Sequence, residues 1–480
     1  MKKKALLTII LFSFCMGRPL ASVLKADDWY NKKHHNRFAR MTYELIKDKY
    51  YFAAIPFAKE HLVRHKKLSR RFEKTLVRLI LKTGTESFID LNYNILKQGH
   101  SKALKLILGI KSFRDGHYQL AINNLSGLDK GHRFYSESLI IRASSHGLLG
   151  LHQKAATIYD ECISVTQEKY DNVRHKKLKR YYGIIKESCA IHKARLQYAQ
   201  GNYQAARASY QAIPKTSYRW PYILLENAWS HYYLEDYNRT LGLLVTYKSP
   251  LLTSYFLPEG EVLKAMSYMN LCLWDDALEV VNQYYNIYRP RSANLKKTIA
   301  KYSKGHDGYL KLLFNSQKEK LKNPFVGNLV TRVRKKVKFN LDLLALRSSQ
   351  SEAKRMASLP ETKFISLLKK ELRRDIRKRK IKLNFMVKKS LYRFINQIHR
   401  FSSHLFNIKL EVMSMKRDLL YRNKKLVSAR SRGDEKNIIR QKGQHFYSFN
   451  GSFWADELGD YSFGLKSNCE EVKSNYGGRR

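Results

Sequence analysis

Glycine and proline are scarce, at 23 and 9 of 480 residues. An all-β fold needs turn residues at short, regular intervals, so this scarcity disfavours one. Acidic residues are few beside basic ones, 40 against 91, leaving a formal net charge of +51. A field of that sign favours anionic partners: nucleic acid, anionic lipid, acidic protein surfaces or cell-wall polymers. Chemistry-bearing motifs are missing. There is no HExxH, GxSxG, GxGxxG or GxxxxGK[ST], no CxxC and no zinc-ligand spacing. Asp275-Asp276 and Asp456-Glu457 are adjacent pairs, which on a helix point to different faces and make poor acid/base partners. His34-His35 sits in a basic stretch and reads as solvated. No catalytic, cofactor-binding or metal-ligating residue is assigned, and the expectation is a protein that is not an enzyme and needs no cofactor.

One apolar run stands at the amino end. Met1-Lys2-Lys3-Lys4 is a positive region, Ala5 to Gly17 is apolar, and Leu20-Ala21-Ser22 offers small residues for cleavage. Residues 1–22 therefore read as a secretory signal peptide, with periplasmic localisation expected and membrane association left open. The run is shorter than the ~20 residues a span needs; an uncleaved anchor, or a lipoprotein using Cys15, are the alternatives. Export makes nucleic acid an unexpected partner despite the charge. Cys162, Cys189, Cys272 and Cys469 remain, irregularly spaced. They read as small buried apolar side chains, with disulfides as the alternative.

What is present is a spacing of 34. Gly-x-Tyr-x-x-Ala occurs as Gly116, Tyr118 and Ala121. It recurs as Gly150, His152 and Ala155, then as Gly201, Tyr203 and Ala206, with a weaker copy at Tyr237 and Thr240. That is the period of the tetratricopeptide repeat, a helix–turn–helix unit that stacks into a solenoid. The glycine permits a left-handed turn, the alanine lets two helices cross closely, and the tyrosine fills the space between neighbours. The expected fold is all-α, a tetratricopeptide-like solenoid over 36–290. Tyr50 and Ala53 mark an early unit, and Ser87 stands where a degenerate unit needs its alanine. Ala265, Trp274 and Ala277 mark the last unit. An excess over 166–186 predicts lengthened helices or an exposed loop. Pro214, Pro250 and Pro290 are expected at unit ends. The aromatic stretch Ser217–Trp229 reads either as inter-repeat core or as the lining of a peptide groove.

Residues 291–440 hold 41 Lys+Arg against 11 Asp+Glu. An apolar stripe runs Val326, Val330, Val333, Val337, Leu341, Leu344. A second segment has Phe364, Leu367, Leu368, Leu372 and Ile376. The longest seam is Leu391, Phe394, Ile398, Phe401, Leu405, Ile408, Val412, Met415 and Leu419, with steps of three and four throughout. This predicts long basic helices, as a projecting coiled-coil hairpin or as extra solenoid helices with a solvated basic face. Residues 441–473 are aromatic and mildly acidic and are expected to pack back onto the basic helices or to serve as a docking motif. Residues 474–480 are expected to be disordered.

Two segments carry a family resemblance. One is Trp220-Pro221-Tyr222-Ile223-Leu224-Leu225-Glu226-Asn227-Ala228-Trp229, continuing through Tyr232, Tyr233, Asp236-Tyr237 and Leu241-Gly242-Leu243-Leu244. The other is Gly451-Ser452-Phe453-Trp454-Ala455-Asp456-Glu457-Leu458-Gly459-Asp460-Tyr461 with Cys469. Together they resemble exported tetratricopeptide-repeat proteins of Bdellovibrio and the myxobacteria, some of which belong to the gliding-motility envelope machinery. The resemblance implies a periplasmic scaffold that binds protein partners in a cell-envelope complex; it carries over no catalytic residue. Trp220, Tyr222, Trp229, Tyr233, Trp454, Asp456, Glu457 and Tyr461 are the partner-binding candidates. The alternative is a basic module that binds peptidoglycan or anionic lipid.

Overall fold

A computed structural model describes residues 22–469, apart from 133, 253, 306, 317, 319–321, 422–432 and 441–443. The expected signal peptide, Ser22 excepted, and the tail 474–480 lie outside the described residues. The fold is all-α. Among the described residues the regular structure is helical, with one isolated antiparallel bridge between Gly433 and Leu465. Also among them, no helix is long and apolar enough to cross a membrane. The chain forms two compact units, 22–185 with 336–383, and 186–335 with 384–469.

The repeat is defined by its turn. Lys49, Gly116 and Gly150 in the first unit have positive φ, and so do Gly201, Glu235 and Cys272 in the second. After each, the next N–H donates to a carbonyl five residues back: Tyr50 to Leu45, His117 to Ser112, Leu151 to His146, Asn202 to Gln197, Asp236 to His231 and Leu273 to Tyr268. This is the six-to-one bond that closes a helix over a left-handed residue. Five positions after each turn stands a small residue with no exposure: Ala54, Ala121, Ala155, Ala206, Thr240 and Ala277. The first unit's register is therefore Lys49, Tyr51 and Ala54, one residue beyond the expected Tyr50 and Ala53.

In the first unit, helices Arg37–Lys47 and Tyr51–His65 pair, as do Lys102–Arg114 with Tyr118–Leu125, and Tyr135–Leu148 with His152–Asn172. Ser69 and Ser101 accept from Phe72 and Leu104 N–H to start their helices. The degenerate unit departs from expectation. After helix Arg70–Thr83, Ser87 closes a single 3-10 turn rather than sitting in a second helix, and only Tyr93–Leu96 follows. Phe88, just after that turn, is fully buried in the core with Leu79, Ile80 and Leu96. Helix Val337–Ala357 runs antiparallel to the start of Lys363–Leu420: Lys382 pairs with Asp342 and Ser349 donates to Asp375, both at 2.7 Å. This helical hairpin does not project. Met356, Phe364, Leu368 and Leu372 are buried in one core with Phe52, Phe57 and Leu62.

The apolar stripe 326–344 is not continuous. Val326, Val330 and Val333 are buried, but Val337, Leu341 and Leu344 are each more than half exposed. The helix stops at Lys335, Lys336 is extended, and the next helix buries Phe339, Leu343 and Leu346 instead. The break rotates the apolar face, which a spacing read through it cannot register.

The excess over 166–186 appears as length: helix Lys176–Ala199 begins after a short break behind His152–Asn172. Helix Lys176–Ala199 is followed across the Gly201 turn by Tyr203–Gln211; Trp220–Tyr233 then pairs with Tyr237–Val245, and Pro258–Asn270 with Trp274–Tyr302. Pro290 does not end that helix; it lies inside it. A helix-interior proline costs about 3 kcal/mol, and burial of Tyr284, Tyr288, Leu295 and Ile299 on both sides of it offsets that. Residues 384–420 of the long helix run antiparallel along it. Tyr284 donates to the carbonyl of Ile398 at 2.8 Å, Tyr285 to that of Ser402 at 2.9 Å, and Lys416 pairs with Asp275. The seam from Leu391 to Leu419 is buried, Met415 partly. Its periodicity was read in register, and its partner is a solenoid helix of the same chain.

Candidate functional site

Two features of the second unit bring the candidate residues together: a carboxy-terminal strap and an aromatic surface.

The strap, 433–440 with 444–469, lies across helices Trp220–Tyr233 and Tyr237–Val245. It does not rest on the basic helices as expected. Leu458 is buried with Trp220, Leu224 and Leu243, with Phe453 and Tyr461 packed against them. Gly459, at φ +89, lies against the Trp220 ring. Asn238 binds the strap on three sides. Its Oδ1 accepts from Leu465 N–H at 2.8 Å, its Nδ2 donates to the carbonyls of Asn437 and Leu465, and its carbonyl accepts from Phe463 N–H. Thr246 Oγ1 accepts from Gly459 N–H at 3.2 Å, and Arg239 donates to the Asp460 carbonyl at 2.8 Å. Lys215 donates to the Asp456 carbonyl and pairs with Asp460 at 2.6 Å. Cys469 closes the strap through a disulfide to Cys272. Cys162 and Cys189 are disulfide-bonded as well. The reading of these four cysteines as simple buried apolar side chains is thereby corrected.

The strap decides the setting of five of the eight candidates. Trp220 is 8% exposed and lies in the core beneath Leu458, so it is not a free binding residue. Tyr461 is half-buried, edge-on to Phe449 and Phe453. Asp456 and Glu457 are exposed; Glu457 accepts from the Tyr461 hydroxyl at 3.4 Å. Trp454, 62% exposed, is the one large aromatic of the Gly451–Tyr461 stretch that the strap leaves uncovered.

The other three are divided. Tyr222 is turned to Arg332, whose guanidinium donates to its hydroxyl at 2.9 Å and lies over its ring. Trp229 and Tyr233 stand one helical turn apart and their rings stack at 6.0 Å. Tyr233 also stacks on Tyr203 at 4.7 Å and 11°, with Tyr198 edge-on to both. Trp229 Nε1 donates to Glu259 at 3.0 Å. Burial, then the neighbouring tyrosines, push the Tyr198 hydroxyl well above its ordinary pKa. The result is an aromatic surface on three helices, with Tyr233 48% exposed at its centre.

Sequence reasoning missed Asn238, Gly242 and Thr246 as strap receptors, and Tyr198 and Tyr203 as surface members. Gly242 offered a signal: a glycine inside an apolar helical run marks close approach of another backbone. A Cβ there would lie 1.9 Å from the Tyr461 carbonyl oxygen. Among the described residues no group of three His, Cys, Asp or Glu side chains is placed to hold a metal ion. Neither a protein-family model nor a curated protein matches this chain.

Proposed function

We propose that the protein is a non-enzymatic scaffold of the cell envelope that binds other proteins through the aromatic surface of its second unit. The observation that carries this reading is the stack of Tyr203, Tyr233 and Trp229, which is partly solvated. Aromatic side chains with few rotatable bonds supply contact area at low entropic cost and dominate binding hot spots. The helix-pair architecture suits such a role, because stacked repeats present extended surfaces. The amino-terminal signal-peptide pattern supports a periplasmic location, and the resemblance to exported tetratricopeptide-repeat proteins supports a motility-related complex. The test is affinity capture from crosslinked envelopes, comparing the wild-type chain with Tyr233→Ala and Tyr203→Ala. Loss of a defined set of membrane proteins from both variants supports the reading; an unchanged set removes this surface from it.

A second reading rests on the long helix, whose exposed positions include Arg373, Arg374, Arg377 and Lys378, then Lys388, Lys389, Arg393 and Arg400. Such faces suit anionic lipid or peptidoglycan. This reading expects co-sedimentation with phosphatidylglycerol vesicles or sacculi that weakens steeply with salt and is indifferent to Tyr233→Ala.

A further inference from the structure

In the second unit the long helix carries another apolar line beside its buried seam. Leu391, Ile398, Leu405, Val412 and Leu419 of the seam are buried. One residue after each come Tyr392, His399, Phe406, Met413 and Leu420, about 100° further round the helix. His399 apart, these are apolar side chains between 44% and 59% exposed. Leu410, one turn before Met413, adds to the same face and is also half exposed. Positions that flank a two-helix seam are normally charged. Apolar residues there belong to helices that touch a further helix.

At its carboxy-terminal end this line forms one wall of an open groove of about 720 Å³. Met413, Leu420 and Tyr421 line it from that side, and Leu278 and Asn282 of helix Trp274–Tyr302 from the other. Its charged lining is Lys409, Lys416 and Arg417, with no acidic side chain among the described residues. Lys416 pairs with Asp275 and Arg417 with its neighbour Asp418, whereas Lys409 makes no ion pair among the described residues. Residues 384–420 as a whole hold seven Lys and Arg against two Asp and Glu. That balance selects the occupant. The long helix of a second copy would set cations against cations, which works against pairing. A helix with acidic flanks gains from the same groups. A membrane fits less well, because helices that lie in lipid present a broad apolar face, and this line is narrow and bordered by a second helix.

We propose that this groove receives an amphipathic helix of a protein partner, apolar in heptad spacing and acidic at the flanking positions, which completes a three-helix bundle. The partner's apolar residues lie between Met413 and Leu420 on one side and Leu278 on the other, and its Asp or Glu side chains pair with Lys409. This is recognition of a helix by a groove, read as anchors at i, i+3, i+4 and i+7. The inference concerns a different surface from the aromatic one and stands without that reading.

The experiment uses the full chain and three synthetic peptides of four heptads. The first has leucine at a and d and glutamate at e and g, where like charge opposes pairing with itself. The second has the same composition in scrambled order, and the third has lysine in place of glutamate. Binding is followed by fluorescence anisotropy. The first peptide is expected to bind about tenfold or more tightly than either of the others, since only it offers both the spacing and the charge. Met413→Glu is expected to weaken it about tenfold by removing an apolar contact. Lys409→Glu is expected to weaken it severalfold and to reduce the salt dependence. Leu341→Glu, at a similarly exposed leucine of the first unit, is the control and should leave binding unchanged. Circular dichroism and the denaturation midpoint check that each variant folds. Equal binding of the scrambled peptide would reduce the attraction to charge alone, and an unchanged affinity in Met413→Glu would remove the groove. Absence of binding, or a Met413→Glu defect confined to phosphatidylglycerol vesicles, would mean that no acidic helix docks there. Each of these outcomes overturns the proposal.

Discussion

Glu352 caps a helix 300 residues earlier in the chain: its two carboxylate oxygens accept from the N–H of Phe52 at 3.0 and 2.9 Å, and Oε2 accepts from Ala53 at 3.0 Å. Both N–H groups belong to the first turn of helix Tyr51–His65, where a helix has no internal acceptors and carries partial positive charge. Glu352 is 3% exposed. This one side chain couples the basic helical hairpin to the first repeat of the first unit.

Glu352→Ala is expected to lower stability by about 2–4 kcal/mol, because it orphans two buried donors. Glu352→Gln keeps one acceptor and is expected to cost less. Burial pushes the Glu352 pKa up to about 7, against the pull of the two N–H groups. The folded state therefore holds the proton to higher pH than the unfolded chain, and this group's contribution is full below about 4.5 and lost as pH rises through about 7. The penalty of Glu352→Gln, measured by urea denaturation, should shrink between pH 4.5 and pH 7.5. A penalty that grows over that interval would contradict the assignment.

His61 acts with the opposite sign. It is 4% exposed, 4.3 Å from the Phe72 ring and 4.5 Å from the His65 ring. Burial, then the like charges of His65 and His35, lower its pKa to about 4. The unfolded chain takes up the proton first as pH falls below about 6.5, so stability present above that value is lost towards pH 4. Allowing for solvent screening, the effect is roughly 1–2 kcal/mol. His192 contributes in the same sense in the second unit, also with a pKa near 4. His61→Phe should flatten the acid limb of the denaturation midpoint; an unchanged limb would show that His61 titrates normally.

Gly242→Ala separates the strap from the repeats. In an exposed helix, alanine gains about 1 kcal/mol over glycine. Here the added carbon would meet the Tyr461 carbonyl, carbonyl carbon and Ser462 Cα. The expected result is a helical protein whose strap is cut by trypsin at Lys466 or Arg440 faster than in the wild type. Equal cleavage rates would mean that the strap does not lie where Gly242 requires.

Breaking the disulfide should have a related effect. Cys272 and Cys469 are 197 residues apart, and a bond closing so long a loop stabilises by roughly 2–5 kcal/mol. Cys469→Ser should lower the denaturation midpoint and expose the strap to protease. Reductant should do the same to the wild type and nothing further to the variant at that bond.

The helical class was legible because its cause is local. Turn glycines at 116, 150 and 201 and the small residues five positions later are steric requirements that any copy must meet. The seam from Leu391 to Leu419 was legible for the same reason. Its partner was not, since a three-four periodicity records which face is apolar and nothing about what covers it. Lys49, Glu235 and Cys272 take the left-handed turn without being glycine, so with no glycine to mark it the first repeat reads one residue early. Pro290 misled because packing outweighed propensity. The candidate site was half legible. Trp229 and Tyr233 stand on the aromatic surface, whereas Trp220 looked equally suitable until a segment more than 200 residues away was found above it.

The strap has a consequence for how the protein is made. In order of synthesis, 444–469 emerges after every helix it binds. A chain halted before that point would leave Trp220, Leu224 and Leu243 uncovered and Cys272 without its bonded mate. Apolar surface of that kind is what proteases and chaperones detect. The strap therefore certifies the chain: only a molecule read through to Cys469 hides the mark of an unfinished one.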